Sequence, residues 1–145
     1  MEFDTIRDRH EIIDLLNRYA TACDTRDWDL FKEIFTTDVE TDYGGDYKFV
    51  NRQSIVNLIR SMLGGCGPTQ HLLGNFRINL EKDRANSICS VRAFHAGTGD
   101  AEGQTFEMWG EYRDKLRRTK TGWRIAHREL AVTWIEGSAE VLKPE

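Results

Sequence analysis

The first half of the chain carries apolar residues at helical spacing, whereas the second half alternates apolar and polar residues with a period of two. Helical spacing is found in three segments, at about 5–24, 27–35 and 54–63. Asp27 is placed to cap the second of these helices. The third is predicted to begin near Asn51 or Ser54 and to stop at Gly64.

The strand pattern follows these helices. A short strand is predicted at 39–43, and four long strands are predicted at 71–80, 87–96, 104–118 and 123–135. The connections between the long strands are short and polar or rich in glycine, which is typical of an antiparallel meander. Helices followed by strands predict an α+β domain. The simplest packing is a strongly curved, mostly antiparallel sheet wrapped round the N-terminal helices, with a concave cavity between them.

Side-chain alternation predicts which strand residues face that cavity. His95 shares a face of its strand with Ala93 and other small or apolar residues. On the next strand Phe106, Met108 and Tyr112 share one face, which would suit a pocket wall. The opposite face would then meet solvent or a partner subunit, although a bulge would reverse the assignment.

The last predicted strand carries two further patterns. His127 lies among Arg124, Arg128 and Glu129, which predicts a polar network on this strand. Leu130, Val132 and Trp134 alternate further along and form an apolar face that needs covering. We therefore expect a homo-oligomer.

Composition narrows the class of protein. A chain of 145 residues is expected to form one domain, 1–145, and it is 39% hydrophobic and 30% charged. Its net charge is -4 with acidic and basic residues interspersed, which argues against a nucleic-acid surface. The first residues lack the apolar core of a signal peptide, and no apolar run approaches the length needed to span a membrane. The three cysteines have neither redox nor metal-ligand spacing, so a cytoplasmic location is expected.

Asp24 and His71 are the candidate catalytic pair. Asp24 follows the first helix, and His71 opens the first long strand. A carboxylate that holds a histidine in one tautomer makes the free ring nitrogen a general base that works near neutral pH. The residues alone leave the structural alternatives open, because aspartate often ends helices and strand histidines are often hydrogen-bonded core residues. A metal site of Asp24, His71 and His95 is conceivable, but no ligand spacing supports it, and no metal is predicted.

Five short motifs, in this order, resemble scytalone dehydratase and the wider SnoaL-like polyketide cyclase group. They are the helix end from Tyr19 to Asp29, Thr41-Asp42-Tyr43, Pro68-Thr69-Gln70-His71, Phe94-His95 and Gly122-Trp123-Arg124-Ile125. That group belongs to the superfamily of cone-shaped α+β barrels that includes ketosteroid isomerase and nuclear transport factor two. The resemblance extends over nearly the whole chain.

The resemblance implies a lyase that needs no cofactor and has a deep apolar pocket. Asp24 matches the carboxylate that orients a histidine, and His71 matches that histidine. Tyr43 matches a tyrosine that polarises the substrate carbonyl through water, and His95 matches a second pocket histidine. Two positions depart from scytalone dehydratase: Cys23 replaces a second water-binding tyrosine and Tyr112 replaces a substrate-binding asparagine. The resemblance therefore implies that the base is kept and that substrate recognition is altered.

These observations together predict a dehydratase-like carbon–oxygen lyase without cofactors. His71 would remove a proton next to a carbonyl, Asp24 would stabilise the imidazolium, and Tyr43 and His95 would stabilise the enolate-like oxygen. The residues expected to bind a small, apolar, cyclic substrate are Cys23, Phe35, Met62, Phe94, Met108 and Tyr112. A ketosteroid isomerase-like or polyketide cyclase-like enzyme and a non-catalytic ligand-binding module remain alternatives. The resemblance makes a trimer the first expectation for the oligomer and a dimer the second.

Overall fold

The computed structural model describes residues 2–145, and its helices follow the predicted pattern. Helix α1 spans Glu2–Thr25 and helix α2 spans Arg52–Leu63. Between them the predicted second helix is a short 3-10 helix, Trp28–Glu33, and the Asp27 side chain accepts a hydrogen bond from the Leu30 amide. This bond confirms the predicted cap, because an N-cap carboxylate satisfies a backbone donor that has no partner within the helix.

Within residues 2–145, six strands form one sheet in the order β2-β1-β6-β5-β4-β3. Their bounds are Phe35–Asp42 for β1, Lys48–Phe49 for β2, Thr69–Glu81 for β3, Arg84–Ala96 for β4, Thr105–Thr119 for β5 and Gly122–Gly137 for β6. Strands β3 to β6 form the predicted antiparallel meander. Strand β1 pairs with β6 in parallel, which joins the N-terminal part of the chain to the meander. The fold is thus α+β, and the mostly antiparallel sheet forms an open cone round the helices.

Bulges bend the long strands. Between its pairs with β5, strand β6 carries an extra residue at Ala126 and another at Thr133. Strand β3 has a similar irregularity at Asn75, whose φ of 51° is positive. Each bulge bends its strand and increases its twist, which is how a sheet of this length curves round a core.

The interior contains an ion pair that the sequence pattern did not predict. Arg128 is fully buried and donates two hydrogen bonds to Asp114, each 2.7 Å long. Its guanidinium lies over the rings of Tyr112 and Tyr19, at 4.0 and 4.3 Å from their centroids. The prediction that Arg128 shares a polar network with His127 is therefore wrong. The bulge at Ala126 reverses the alternation of β6 and turns Arg128 inward.

Candidate active site

Asp24 is held at the C-terminal end of α1, where the chain turns sharply. The Asp27 amide donates to the Ala22 carbonyl and the Arg26 amide donates to the Cys23 carbonyl, the paired bonds of a Schellman motif. Arg26 occupies the left-handed position of that motif with a φ of 57°. The turn brings the last helical residues against the first residues of β3.

Three donors converge on the Asp24 carboxylate. His71 Nδ1 lies 2.7 Å from Oδ1, the His71 amide donates to Oδ2 at 2.8 Å, and the Thr69 hydroxyl donates to Oδ1 at 2.9 Å. Burial alone would raise the pKa of Asp24, but these hydrogen bonds outweigh burial and hold its pKa below the usual value. An ionised carboxylate can only accept hydrogen bonds, so His71 carries its proton on Nδ1 and leaves Nε2 free.

The His71 ring forms part of the wall of a cavity of about 230 Å³. Within residues 2–145, no protein group hydrogen-bonds to its Nε2 atom. The cavity lies between the helices and the concave face of the sheet, and most of its lining is aliphatic or aromatic. The lining residues are Tyr19, Cys23, Tyr43, Tyr47, Leu58, Ile59, Met62, Leu63, His71, Ala93, His95, Phe106, Met108, Leu130, Val132, Ile135 and Leu142. Such a lining suits an apolar molecule about the size of one or two rings.

His95 lies next to His71, with the two ring centroids 5.6 Å apart. Its Nδ1 is 2.9 Å from the Phe106 carbonyl, which can only accept, so Nδ1 carries the proton. Burial lowers the pKa of His95 to about 4, and the ring is neutral at neutral pH. Its free Nε2 is then a hydrogen-bond acceptor. This geometry corrects the expected role of His95, because an acceptor cannot stabilise an enolate-like oxygen, although it can accept from a substrate hydroxyl.

Tyr43 is one of three tyrosines in the lining of the cavity, with Tyr19 and Tyr47. It follows the end of β1, and its hydroxyl lies 2.8 Å from that of Tyr19 on α1. Burial raises the pKa of Tyr43 to about 12, so the phenol stays protonated. The positive charge of Arg128 lowers the pKa of Tyr43, although by less than burial raises it. Nη1 of Arg128 is buried without a hydrogen-bond partner in the described part of the chain. A neutral phenol beside a buried cation is a good donor to a developing negative charge.

The predicted substrate-binding residues divide into two groups. Cys23, Met62 and Met108 line the cavity. Burial raises the pKa of Cys23 to about 12, so its thiol is protonated and acts as an apolar wall.

The other three predicted residues lie elsewhere, which corrects their assignment. Phe35 is fully buried and stacks on Phe31, 6.0 Å between centroids. Tyr112 lies under the Arg128 guanidinium, and Phe94 lies on the opposite face of β4 from His95. The prediction that Phe94 binds substrate is wrong because adjacent residues in a strand point to opposite faces of the sheet, and the adjacent His95 lines the cavity.

Several lining residues were not predicted as site residues. Tyr19 precedes Cys23 by four positions on α1, and this helical spacing was the signal that could have identified it. Leu130 and Val132 were assigned to an outer face, but they line the cavity. Leu142 reaches it from the C-terminal segment, whose backbone bonds to Met62 and Gly65. No local sequence pattern indicates such a distant contact.

Two further properties of the described chain bear on function. Among residues 2–145, no group of three or more histidine, cysteine or acidic side chains is arranged to hold a metal ion. No helix of the described chain is long and apolar enough to cross a membrane.

Comparison with known proteins identifies the family. Residues 4–129 match the SnoaL-like domain, so the chain belongs to that family. An uncharacterised protein of Mycobacterium tuberculosis is 35% identical over 130 residues, covering 85% of this chain and 84% of that protein. Terrestric acid biosynthesis cluster protein E of Penicillium crustosum is 31% identical over 142 residues, covering 91% and 87%.

Solved structures share the fold at lower identity. A presumed scytalone dehydratase from Novosphingobium aromaticivorans superposes with a TM-score of 0.86 at 21% identity, over 94% of this chain and 91% of that one. A LinA-type3 hexachlorocyclohexane dehydrochlorinase from Novosphingobium barchaimii gives a TM-score of 0.83 at 17% identity, over 96% and 95%. At these identities the likeness concerns the fold.

Proposed function

We propose that this protein is a cofactor-independent lyase in which the His71–Asp24 dyad removes a proton next to a carbonyl. The observation that carries the proposal is the 2.7 Å contact between His71 Nδ1 and Asp24 Oδ1, with the ring in the wall of an apolar cavity. A general base of this kind contributes about 10²–10⁴-fold to the rate. The His71 side chain is only 7% exposed, and this partial removal of the ring from bulk water would add to its effect.

The reaction would be an elimination from a β-hydroxyketone or a related compound. His71 Nε2 takes the proton from the carbon next to the carbonyl, and the electron pair of that C–H bond moves to form an enolate. Tyr43 donates a hydrogen bond, directly or through a water, to the enolate oxygen. The electron pair then forms the C=C bond as the C–O bond breaks, and the imidazolium returns its proton to the departing hydroxyl, which leaves as water. Asp24 stabilises the imidazolium throughout.

His95 takes a different part in this proposal from the one expected from sequence. Its Nε2 can accept a hydrogen bond from a hydroxyl of the substrate, which would orient the ring in the cavity. Cys23, Met62 and Met108 would contact the apolar part of the same molecule. The proposed substrate is therefore a small, largely apolar cyclic ketone that carries at least one hydroxyl.

The relatives are consistent with such chemistry. The dehydrochlorinase that shares the fold removes hydrogen chloride from hexachlorocyclohexane, as its name states, and the Penicillium relative is named for the terrestric acid biosynthesis cluster. The group eliminated from the substrate of the proposed reaction could therefore be water or another small leaving group. Neither relative identifies the substrate.

Turnover of a panel of cyclic β-hydroxyketones tests the proposal, because the conjugated enone product absorbs in the ultraviolet. We expect the wild-type protein to turn over at least one compound and His71→Ala to lose about 10²-fold or more in kcat, since the base is gone. Asp24→Asn should also lose activity, because its amide can hold the wrong tautomer. Binding should survive in both variants, as measured by thermal shift.

His10→Ala is the matched control, because His10 is an exposed histidine on α1 and lies outside the cavity. It should keep full activity. Undiminished turnover by His71→Ala would rule out the general-base role. Double-bond migration without loss of water would favour the isomerase alternative, and binding without any turnover would favour the ligand-binding module.

We also propose that the protein forms a homo-oligomer, a trimer before a dimer. Trp134 and Ile135 near the end of β6 are 61% and 56% exposed, and Val132 is 51% exposed. Val132 and Ile135 also border the cavity, so a second copy on this surface would shield the cavity from solvent. The trimer rests on the resemblance to scytalone dehydratase.

A further inference from the structure

Arg26 stands at a backbone position where glycine is the usual residue. It occupies the left-handed turn after α1 with a φ of 57°, which glycine adopts without steric strain and arginine does not. The hydrogen bonds of the turn need only its backbone. An arginine in this strained backbone conformation therefore indicates that its side chain has a structural or functional role that glycine could not fill.

The side chain joins the end of α1 to the start of β3. Nη1 donates to the Cys23 carbonyl and to the Thr69 hydroxyl oxygen, each at 2.8 Å, and Nη2 donates to the Gly67 carbonyl at 2.8 Å. A guanidinium has five N–H donors and no acceptor, so the direction of each of these bonds is fixed.

This direction determines where the Thr69 proton points. Because Thr69 Oγ1 accepts from Arg26, its own hydrogen is free for the Asp24 carboxylate, and Oγ1 lies 2.9 Å from Asp24 Oδ1. The same Oδ1 accepts from His71 Nδ1 at 2.7 Å. A relay of hydrogen bonds thus runs from Arg26 through Thr69 to Asp24, and from Asp24 to the His71 ring.

We infer that Arg26 is a positioning residue that acts through Thr69 to fix the Asp24 carboxylate and, with it, the orientation and tautomer of His71. The inference rests on the proposed function for its effect on rate, but the positioning itself can be measured without a substrate. Without the relay, the carboxylate loses the Thr69 donor and is held only by the two bonds from His71, so the carboxylate and the ring can shift together, which misplaces Nε2. Misplacement of a reacting group by a fraction of an ångström to 1 Å lowers rates by about tenfold to a hundredfold.

Nitrogen-15 spectra of the histidine side chains test the positioning, because they separate the Nδ1–H and Nε2–H tautomers. The chain has four histidines, and loss of a signal in His71→Ala assigns that ring. We expect His71 to be a single Nδ1–H tautomer in the wild-type protein. In Thr69→Val, which keeps the shape of the side chain but lacks the hydroxyl, and in Arg26→Gly, which suits the positive φ, it should become a mixture.

Three comparisons separate the relay from a structural role. Thr69→Ser keeps a hydroxyl and should restore the single tautomer. Arg9→Gln is the matched control, because Arg9 also joins α1 to β3, through the Ile78 carbonyl at 2.8 Å, without touching the dyad. It should leave the His71 spectrum unchanged. If a substrate is found, Thr69→Val and Arg26→Gly should lower kcat about tenfold and change KM little.

Two results would overturn the inference: a mixed tautomer in the wild-type protein, or an unchanged His71 spectrum in either Thr69→Val or Arg26→Gly. If Arg26→Gly does not fold, Thr69→Val alone decides, since it removes the bond through which Arg26 acts on the Asp24 carboxylate. An altered spectrum with undiminished turnover would support the positioning and instead refute the catalytic role of the dyad. The failure of the inference and that of the proposed function are therefore distinguishable.

Discussion

The two histidines of the cavity have the same tautomer but different partners for the protonated nitrogen. His71 donates from Nδ1 to an ionised carboxylate, whereas His95 donates from Nδ1 to the neutral Phe106 carbonyl. A carboxylate stabilises the positive charge that appears when the ring takes a proton, and a carbonyl does so far less. This difference assigns the base to His71 within the proposal, although both rings have a free Nε2.

The pH dependence of stability should expose the buried, neutral state of His95. Its pKa is about 4 in the folded protein and about 6.5 when unfolded, so the unfolded chain binds the extra proton between these values. The folded state should therefore lose about 3 kcal/mol of stability as the pH falls from 6.5 to 4. His95→Gln lacks this titration. We therefore expect its unfolding free energy, measured with urea at pH 7 and at pH 4, to fall by about 3 kcal/mol less than that of the wild type.

His10→Gln provides the reference for this measurement, because His10 is exposed. It should follow the wild-type dependence on pH. Equal losses in wild type and His95→Gln would mean that His95 is protonated normally in the folded protein, and its assignment as an acceptor would fail.

At the scale of elements, the order and type of the helices and long strands could be predicted because each depends on local periodicity and turn residues. The strand bulges could not, because they depend on pairing with a neighbouring strand. Strict alternation from the buried Trp123 and Ile125 would turn His127 inward and Arg128 outward, and the extra residue at Ala126 reverses that order. The buried ion pair with Asp114 was missed for the same reason.

Replacing Arg128 should be among the most destabilising changes in the chain. Arg128→Met leaves the buried Asp114 carboxylate without its partner, and we expect a loss of about 3–5 kcal/mol of unfolding free energy. The double variant Arg128→Met/Asp114→Leu should recover most of this loss, because it removes both charges. Urea denaturation of the single and double variants measures the difference.

Arg113→Gln is the control, because Arg113 is on the same sheet but its ion pairs with Glu111 and Glu129 are exposed. Exposed pairs contribute little, so this variant should unfold almost as wild type does. A double variant as unstable as Arg128→Met would show that the residue acts through its packing on Tyr19 and Tyr112 and not through charge.

The candidate site depends on contacts between parts of the chain that are far apart in sequence. Resemblance to a family brought Asp24, Tyr43, His71 and His95 together, because the motifs of that family are short and keep their order. Alternation and helical spacing alone would not have joined a helix end to a strand 47 residues away. The parallel pairing of β1 with β6 is equally non-local, and no turn residue indicates it.

The exposed end of β6 gives the last prediction. Trp134 is 61% exposed, so a charge at this position should leave the fold intact. If a second copy covers this surface, Trp134→Lys places an ammonium group in an apolar interface, and desolvating that charge disfavours assembly. We expect light scattering after size-exclusion chromatography to give three times the chain mass for wild type and the mass of one chain for Trp134→Lys.

Ile6→Lys is the control, since Ile6 is 64% exposed on α1, and it should stay assembled. A wild-type protein that is monomeric, or a Trp134→Lys variant that keeps the wild-type mass, would show that this surface is not the interface.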